Sequence, residues 1–132
     1  MNKTDPISLN RVSRDVVFGS HLVADYRGVA PDLLNSPDRI IDILVKAAAA
    51  ADATVVDSCI HQFSPYGVTA TVTLAESHIS FHSWPEHNYA AVDVFVCGKA
   101  DAAAALRHIT SMLQPHSVDV CELKRGKLPQ AI

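Results

Sequence analysis

Residues 68–97, VTATVTLAESHISFHSWPEHNYAAVDVFVC, decide how this chain folds. Val68, Ala70, Val72 and Leu74 alternate with Thr69, Thr71 and Thr73, a period of two that belongs to a strand with one buried face. His78–Ser83 repeats the pattern, with Ile79 and Phe81 on one side and His78, Ser80 and His82 on the other. Ala90–Cys97 does so again, turning Val92, Val94 and Val96 away from Asp93, Phe95 and Cys97. Three such segments in quick succession imply consecutive antiparallel hairpins.

Working outward, Thr54–Gln62 reads as a further strand, ended by the turn residues Ser64-Pro65-Tyr66-Gly67. Upstream, Asn35-Ser36-Pro37-Asp38 signals a helix start: Ser36 as N-cap, Pro37 at the first helical position, Asp38 favourable to the dipole. Ile40, Ile41, Leu44, Val45, Ala48 and Ala51 then recur at helical spacing, which predicts a helix over 37–51 with that stripe buried. His21–Tyr26 alternates weakly and predicts a strand. After Gly98, Ala103, Leu106, Ile109 and Leu113 predict a helix over 100–113, and Val118–Leu123 a closing strand. The order β-α-β-β-β-β-α-β predicts an α+β two-layer sandwich, an antiparallel sheet with two helices on one face. The other face would carry threonines, histidines and Cys97, and needs a partner or a substrate. Residues 1–18 read as a polar lead-in, 19–124 as a single domain and 125–132 as a polar tail.

Composition narrows the function classes. A chain of 132 residues with 48% hydrophobic and 19% charged residues buries a core and is not a disordered, solvating polymer. A net charge of -3 with scattered lysines and arginines argues against a nucleic-acid partner. Cys59, Cys97 and Cys121 are odd in number and far apart, which speaks against a disulfide framework and a zinc knuckle. With neither a signal-peptide core nor a membrane-length apolar run, the expectation is a cytoplasmic chain without a membrane partner.

His78, His82 and His87 fall within ten residues. On a helix His78 and His82 would share a face, but on a strand four residues span about 13 Å, too far for two nitrogens on one ion, so no metal is expected. Glu76-Ser77-His78 alone reads as a polar turn between hairpin strands, and no G-x-S-x-G elbow surrounds the serine.

The wider string alters that reading. Pro65-Tyr-Gly-Val-Thr69, Ala75-Glu-Ser-His-Ile-Ser-Phe-His82, Ser83-Trp-Pro-Glu86 and Ala90-Ala-Val-Asp-Val-Phe-Val-Cys-Gly98 together resemble the bacterial and archaeal S-adenosylmethionine decarboxylase proenzymes, a pyruvoyl-dependent family. The resemblance runs from His21 to about Gly98 and more weakly through the last helix and strand. It implies a homodimer with each site near the subunit interface, and a product that serves as aminopropyl donor for spermidine synthesis. Decarboxylating an α-amino acid needs an electron sink that side chains lack. The family makes one from its own serine, with no pyridoxal phosphate and no metal. By the resemblance, the Ser77 hydroxyl attacks the Glu76 carbonyl to form an ester. Loss of the serine α-proton then expels the Glu76 carboxylate, and hydrolysis leaves a pyruvoyl group, the Schiff-base former, heading the second chain.

The resemblance further implies that His82 is the processing base and Cys97 the acid that returns a proton to substrate. It gives Phe63 a stacking role on adenine, Glu86 a grip on the ribose hydroxyls and the backbone of Leu74 a contact with the adenine edge. Read alone, Phe63 would be core, Glu86 a surface charge, His82 a hydrogen-bonded sheet residue and Cys97 a small buried hydrophobe. Trp84 and Pro85 are expected to brace the site, and Asp93 to be a hydrogen-bonder on the sheet rather than part of a putrescine site. The chain departs from the family at Thr69, where serine is usual for processing support, and at Ala70, Ser83 and His87-Asn88. A pyruvoyl-dependent arginine or ornithine decarboxylase would keep Ser77, His82 and Cys97 and alter the pocket. An uncleaved, non-catalytic homologue is the alternative from another class.

Overall fold

The alternating segments become a six-stranded antiparallel sheet in a computed structural model that describes residues 17–127. Residues 1–16 of the expected lead-in and 128–132 of the expected tail lie outside the described residues. The elements run β1 (Gly19–Arg27), α1 (Pro31–Leu34), α2 (Pro37–Ala50), β2 (Val55–Gln62), β3 (Val68–Leu74), β4 (Ser77–Trp84), β5 (Tyr89–Cys97), α3 (Ala102–Leu113) and β6 (Ser117–Arg125). A single 3-10 turn, Pro85–His87, joins β4 to β5. The sheet order is β2-β3-β4-β5-β1-β6, so the first strand is inserted between the fifth and the last.

The expected α+β order and the expected strand faces are observed. Val68, Ala70, Val72, Leu74, Ile79, Phe81, Val92, Val94 and Val96 are buried in one core with α2 and α3. Burying side chains of this size contributes roughly 1.5–3 kcal/mol each, which holds the helices to one face of the sheet. Thr69, Ser80, His82, Asp93 and Phe95 lie on the uncovered face.

Several details differ from the reading of the sequence. α1, a third and very short helix, was not expected; it buries Leu33 and Leu34. In α2 the buried stripe is Ile40, Ile43, Leu44, Ala47 and Ala48, whereas Val45 is 39% exposed and Ile41 only half-buried. An alanine-rich helix offers two almost equally apolar stripes, and packing on the sheet selects between them. Ser36 stands at the N-cap of α2 with extended backbone, yet its side chain makes no capping bond. Its N–H instead turns back to Leu33 O at 3.2 Å, closing α1. α3 begins at Ala102 rather than residue 100, and β6 takes in Arg125, the first residue of the expected tail.

A polar anchor ties β1 to α3. Thr110 Oγ1 donates to Leu106 O at 2.7 Å and lies 2.7 Å from the Tyr26 hydroxyl. Burial pushes the Tyr26 phenol well above the ordinary tyrosine range, and the Thr110 contact offsets this in part. At the start of α3, Asp101 Oδ1 accepts from the N–H groups of Ala103 at 3.0 Å and Ala104 at 3.2 Å. Asp101→Ala should therefore lower the unfolding free energy by about 1 kcal/mol, with Asp101→Asn losing less. Urea unfolding checks this; an unchanged midpoint in Asp101→Ala would show that the cap does not bear on stability.

Candidate active site

Leu74 pairs with Ser77 across β3 and β4, so the hairpin closes through only Ala75 and Glu76. Glu76 is held at φ +63°, the left-handed region, which costs a residue with a Cβ roughly 1–2 kcal/mol. The Glu76–Ser77 peptide bond thus leaves a strained residue and enters the first position of a strand. Ser77 is half-buried, and its Oγ accepts from the Cys97 N–H at 3.1 Å. Cys97, half-buried, ends β5, and Leu74 is buried beside the turn. Glu76, Ser77, Leu74 and Cys97 are therefore together at one end of the sheet.

Thr69 and His82 face each other across β3 and β4 at the other end, with Oγ1 and Nδ1 3.1 Å apart. Threonine in place of serine keeps this hydroxyl contact. Glu86 is exposed on the 3-10 turn, and Phe63 is 50% exposed just after β2, its ring edge-on to His61. The loop carrying Phe63 is fixed to the helical layer. Ser83 Oγ accepts from Val68 N–H at 3.0 Å and donates to Leu34 O at 2.7 Å, while Asn35 Oδ1 accepts from Gly67 N–H at 3.0 Å. Gly67 sits at φ +110°, where a Cβ would also come within 3.2 Å of Ser83 O. Trp84 packs on Tyr89 with centroids 5.3 Å apart. The hydrogen bond from Tyr89 to Asp25, 2.5 Å, raises the Tyr89 phenol above its usual value, with burial adding to it.

The two groups do not meet within one chain. Ser77 and His82 are five residues apart on β4, about 16 Å of extended strand, and have opposite parity in the pleat.

Between them lies a cluster that the sequence reading did not assemble. Asp93 is 3.1 Å from His21 Nε2, accepts from Ser80 Oγ, and lies 3.7 Å from His78 Nε2. Arg125 Nη1 is 3.1 Å from His21 Nδ1. The available signal was parity: His78, Ser80 and Asp93 were each on the polar side of an alternating segment, but the insertion of β1, with His21, beside β5 was not legible.

Residues 20–126 match the family model described as S-adenosylmethionine decarboxylase. The chain belongs to the S-adenosylmethionine decarboxylase family. Curated relatives bear the name S-adenosylmethionine decarboxylase proenzyme. One from Caldicellulosiruptor saccharolyticus is 41% identical over 116 residues, 87% of this chain and 94% of its own. Another from Hydrogenobaculum sp. is 43% identical over 110 residues, 83% of this chain and 82% of its own. The crystal structure of the adenosylmethionine decarboxylase from Aquifex aeolicus superposes with a TM-score of 0.81 at 37% identity, covering 88% of this chain and 97% of that one. Among the described residues no helix is long and apolar enough to cross a membrane.

Within this family member Ser83 holds the Phe63 loop by two buried bonds. Ser83→Ala strands the Val68 N–H and the Leu34 carbonyl, and should cost about 2 kcal/mol in chemical denaturation. Ser83→Thr, which keeps the hydroxyl, should recover most of it; equal losses in both variants would assign the effect to packing instead.

Proposed function

We propose that this chain is a self-processing, pyruvoyl-dependent decarboxylase of S-adenosylmethionine, acting as a homodimer whose sites draw on both copies. The observation that carries the reading is the Ser77 hydroxyl, held beside Cys97 immediately after the strained Glu76, in a chain of this family. The residues fit a self-made carbonyl. Ser77 Oγ needs only to reach the carbonyl carbon of its own preceding residue, and the ester that forms frees Glu76 from the hairpin geometry that strains it. Removal of the Ser77 α-proton then expels the Glu76 carboxylate, and addition of water releases ammonia and leaves the ketone.

His82, paired with Thr69, is the base for that proton, but 16 Å is too far within one copy. A second copy resolves the distance if two uncovered sheet faces pack together. A two-fold axis lying between the sheets and crossing the strands midway, along the row Thr71, Ser80, Asp93, Val23 and Cys121, would lay the Ser77 end of β4 in one copy over the His82 position of the other. The uncovered face is then the interface, and its polar side chains would pair across it.

When formed, the ketone supplies the electron sink that side chains cannot. Cys97 holds a proton at Sγ for the substrate α-carbon. Phe63 offers an aromatic face to adenine, Glu86 a carboxylate to the ribose diol, and the Leu74 backbone the adenine edge. The arginine and ornithine alternatives are not favoured, since neither substrate engages Phe63 and Glu86 in these roles.

Complementation tests the shared site. Ser77→Ala and His82→Ala chains should each remain whole alone, by intact mass. Co-refolded, the His82→Ala chain should be cut between Glu76 and Ser77 while the Ser77→Ala chain stays whole. If neither is cut in the mixture although the wild type is, the site does not cross the interface. A wild type that stays whole after long incubation would favour the non-catalytic homologue.

Carbon dioxide release from carboxyl-labelled S-adenosylmethionine, arginine and ornithine tests substrate. Phe63→Ala should weaken use of S-adenosylmethionine by about 1 kcal/mol and Glu86→Gln by about 1.5–3 kcal/mol. Equal or greater release from a free amino acid would overturn the substrate and leave the pyruvoyl chemistry standing. Thr69→Ser should speed cleavage without altering that preference.

A further inference from the structure

Cutting the Glu76–Ser77 bond creates a chain end inside the active site, and the hydrogen bonds show what remains to hold it. The inference rests on the processing reading above. Before cleavage Ser77 is fixed by the Ala75–Glu76 turn and by the Cys97 N–H at 3.1 Å. Processing removes both, because the turn is severed and Oγ departs with the Glu76 carboxylate. The first side chain behind the new carbonyl is His78.

His78 is not loose. Its ring packs against Phe95 at 5.8 Å and edge-on to His21 at 6.0 Å, and its Nε2 is 3.7 Å from Asp93 Oδ1. Asp93 is itself fixed. Ser80 donates to Oδ1, and His21 Nε2 lies 3.1 Å from Oδ2. An arginine can only donate, so Arg125 Nη1, 3.1 Å away, makes His21 Nδ1 the acceptor. The ring hydrogen therefore sits on Nε2 and is donated to Asp93. A chain of donors thus runs from β6 through β1 to β5, and from β4 Ser80 and His78 approach the same Asp93 oxygen.

We propose that His78 is a positioning residue, which through the braced Asp93 carboxylate clamps the chain end made by cleavage and keeps the carbonyl derived from Ser77 beside Cys97. In the uncut chain the contact is in ion-pair range. A shift of about 0.7 Å by a strand head released from its turn brings it to hydrogen-bond length. His21, His78 and Asp93 also have the composition of a metal triad, with donor atoms within 4.8 Å of one another. The tautomer set by Arg125 argues for the clamp, since the His21 nitrogen facing Asp93 carries a hydrogen instead of a free lone pair.

The test compares wild type, His78→Ala and His78→Gln as full-length chains. Intact mass comes first: all three should be cut, and a wild type that stays whole would defeat the processing reading rather than the clamp. In the processed proteins without substrate, amide exchange over residues 78–81 should be about tenfold or more faster in His78→Ala, and near wild type in His78→Gln, whose amide still reaches Asp93. In turnover, His78→Ala should lose about tenfold or more in kcat with KM nearly unchanged. More of its second chain should begin with alanine, the product of protonation at the ketone carbon instead of the substrate. Wild-type exchange and kcat in fully cleaved His78→Ala would overturn the clamp, as would failure of that variant to cleave while folded. So would loss of wild-type activity to a chelator with recovery on adding zinc, which would make the cluster a metal site.

Discussion

The register that closes the β3–β4 hairpin, Leu74 opposite Ser77, governs where the candidate groups on β3, β4 and β5 lie. Closing on two residues forces Glu76 into the left-handed region and makes Ser77 the first residue of β4. Parity then places His78, Ser80 and His82 on the uncovered face and Ile79 and Phe81 among the helices. A slip of one residue would reverse all of these at once, driving histidines into the core and Phe81 into water. The buried alternation therefore protects the site as well as the fold. With β4 set, pairing of His78 with Phe95 brings the end of β5, and with it Cys97, to the Ser77 hydroxyl.

The same geometry divides the chemistry. Reactive groups spaced along one strand cannot converge, so a single sheet presents two incomplete halves, Ser77 with Cys97 and Thr69 with His82. The polar row between them is centred on Asp93, which His21, Ser80 and His78 approach from three directions. In the proposed dimer, self-association and processing would draw on the same sheet.

Much of this was legible because its signals are local. The threonine, histidine and valine alternations identified both faces of β3, β4 and β5, and Glu76-Ser77-His78 was placed at a strand junction. In α2 the local signal was ambiguous: Ile41 and Val45 are as apolar as Ile43 and Ala47, and only the sheet beneath distinguishes them. The Arg125–His21–Asp93 chain was hidden for a different reason. His21 and Arg125 are separated by 104 positions and meet only because β1 pairs with β6 on one side and with β5 on the other. That insertion has no signature in any window of sequence.

The strand order also determines what the cut leaves behind. The proposed cut puts β1, β2 and β3 in one product and β4, β5 and β6 in the other, and the order β2-β3-β4-β5-β1-β6 then alternates ownership across three ladders, β3 with β4, β5 with β1 and β1 with β6. The first product keeps β1 wedged between two strands of the second, so the fragments are interlaced. Neither can depart without unzipping the middle of the sheet and opening the core beneath it. Maturation changes the connectivity of the polypeptide while the architecture holds, and the two fragments should behave as one cooperative folding unit.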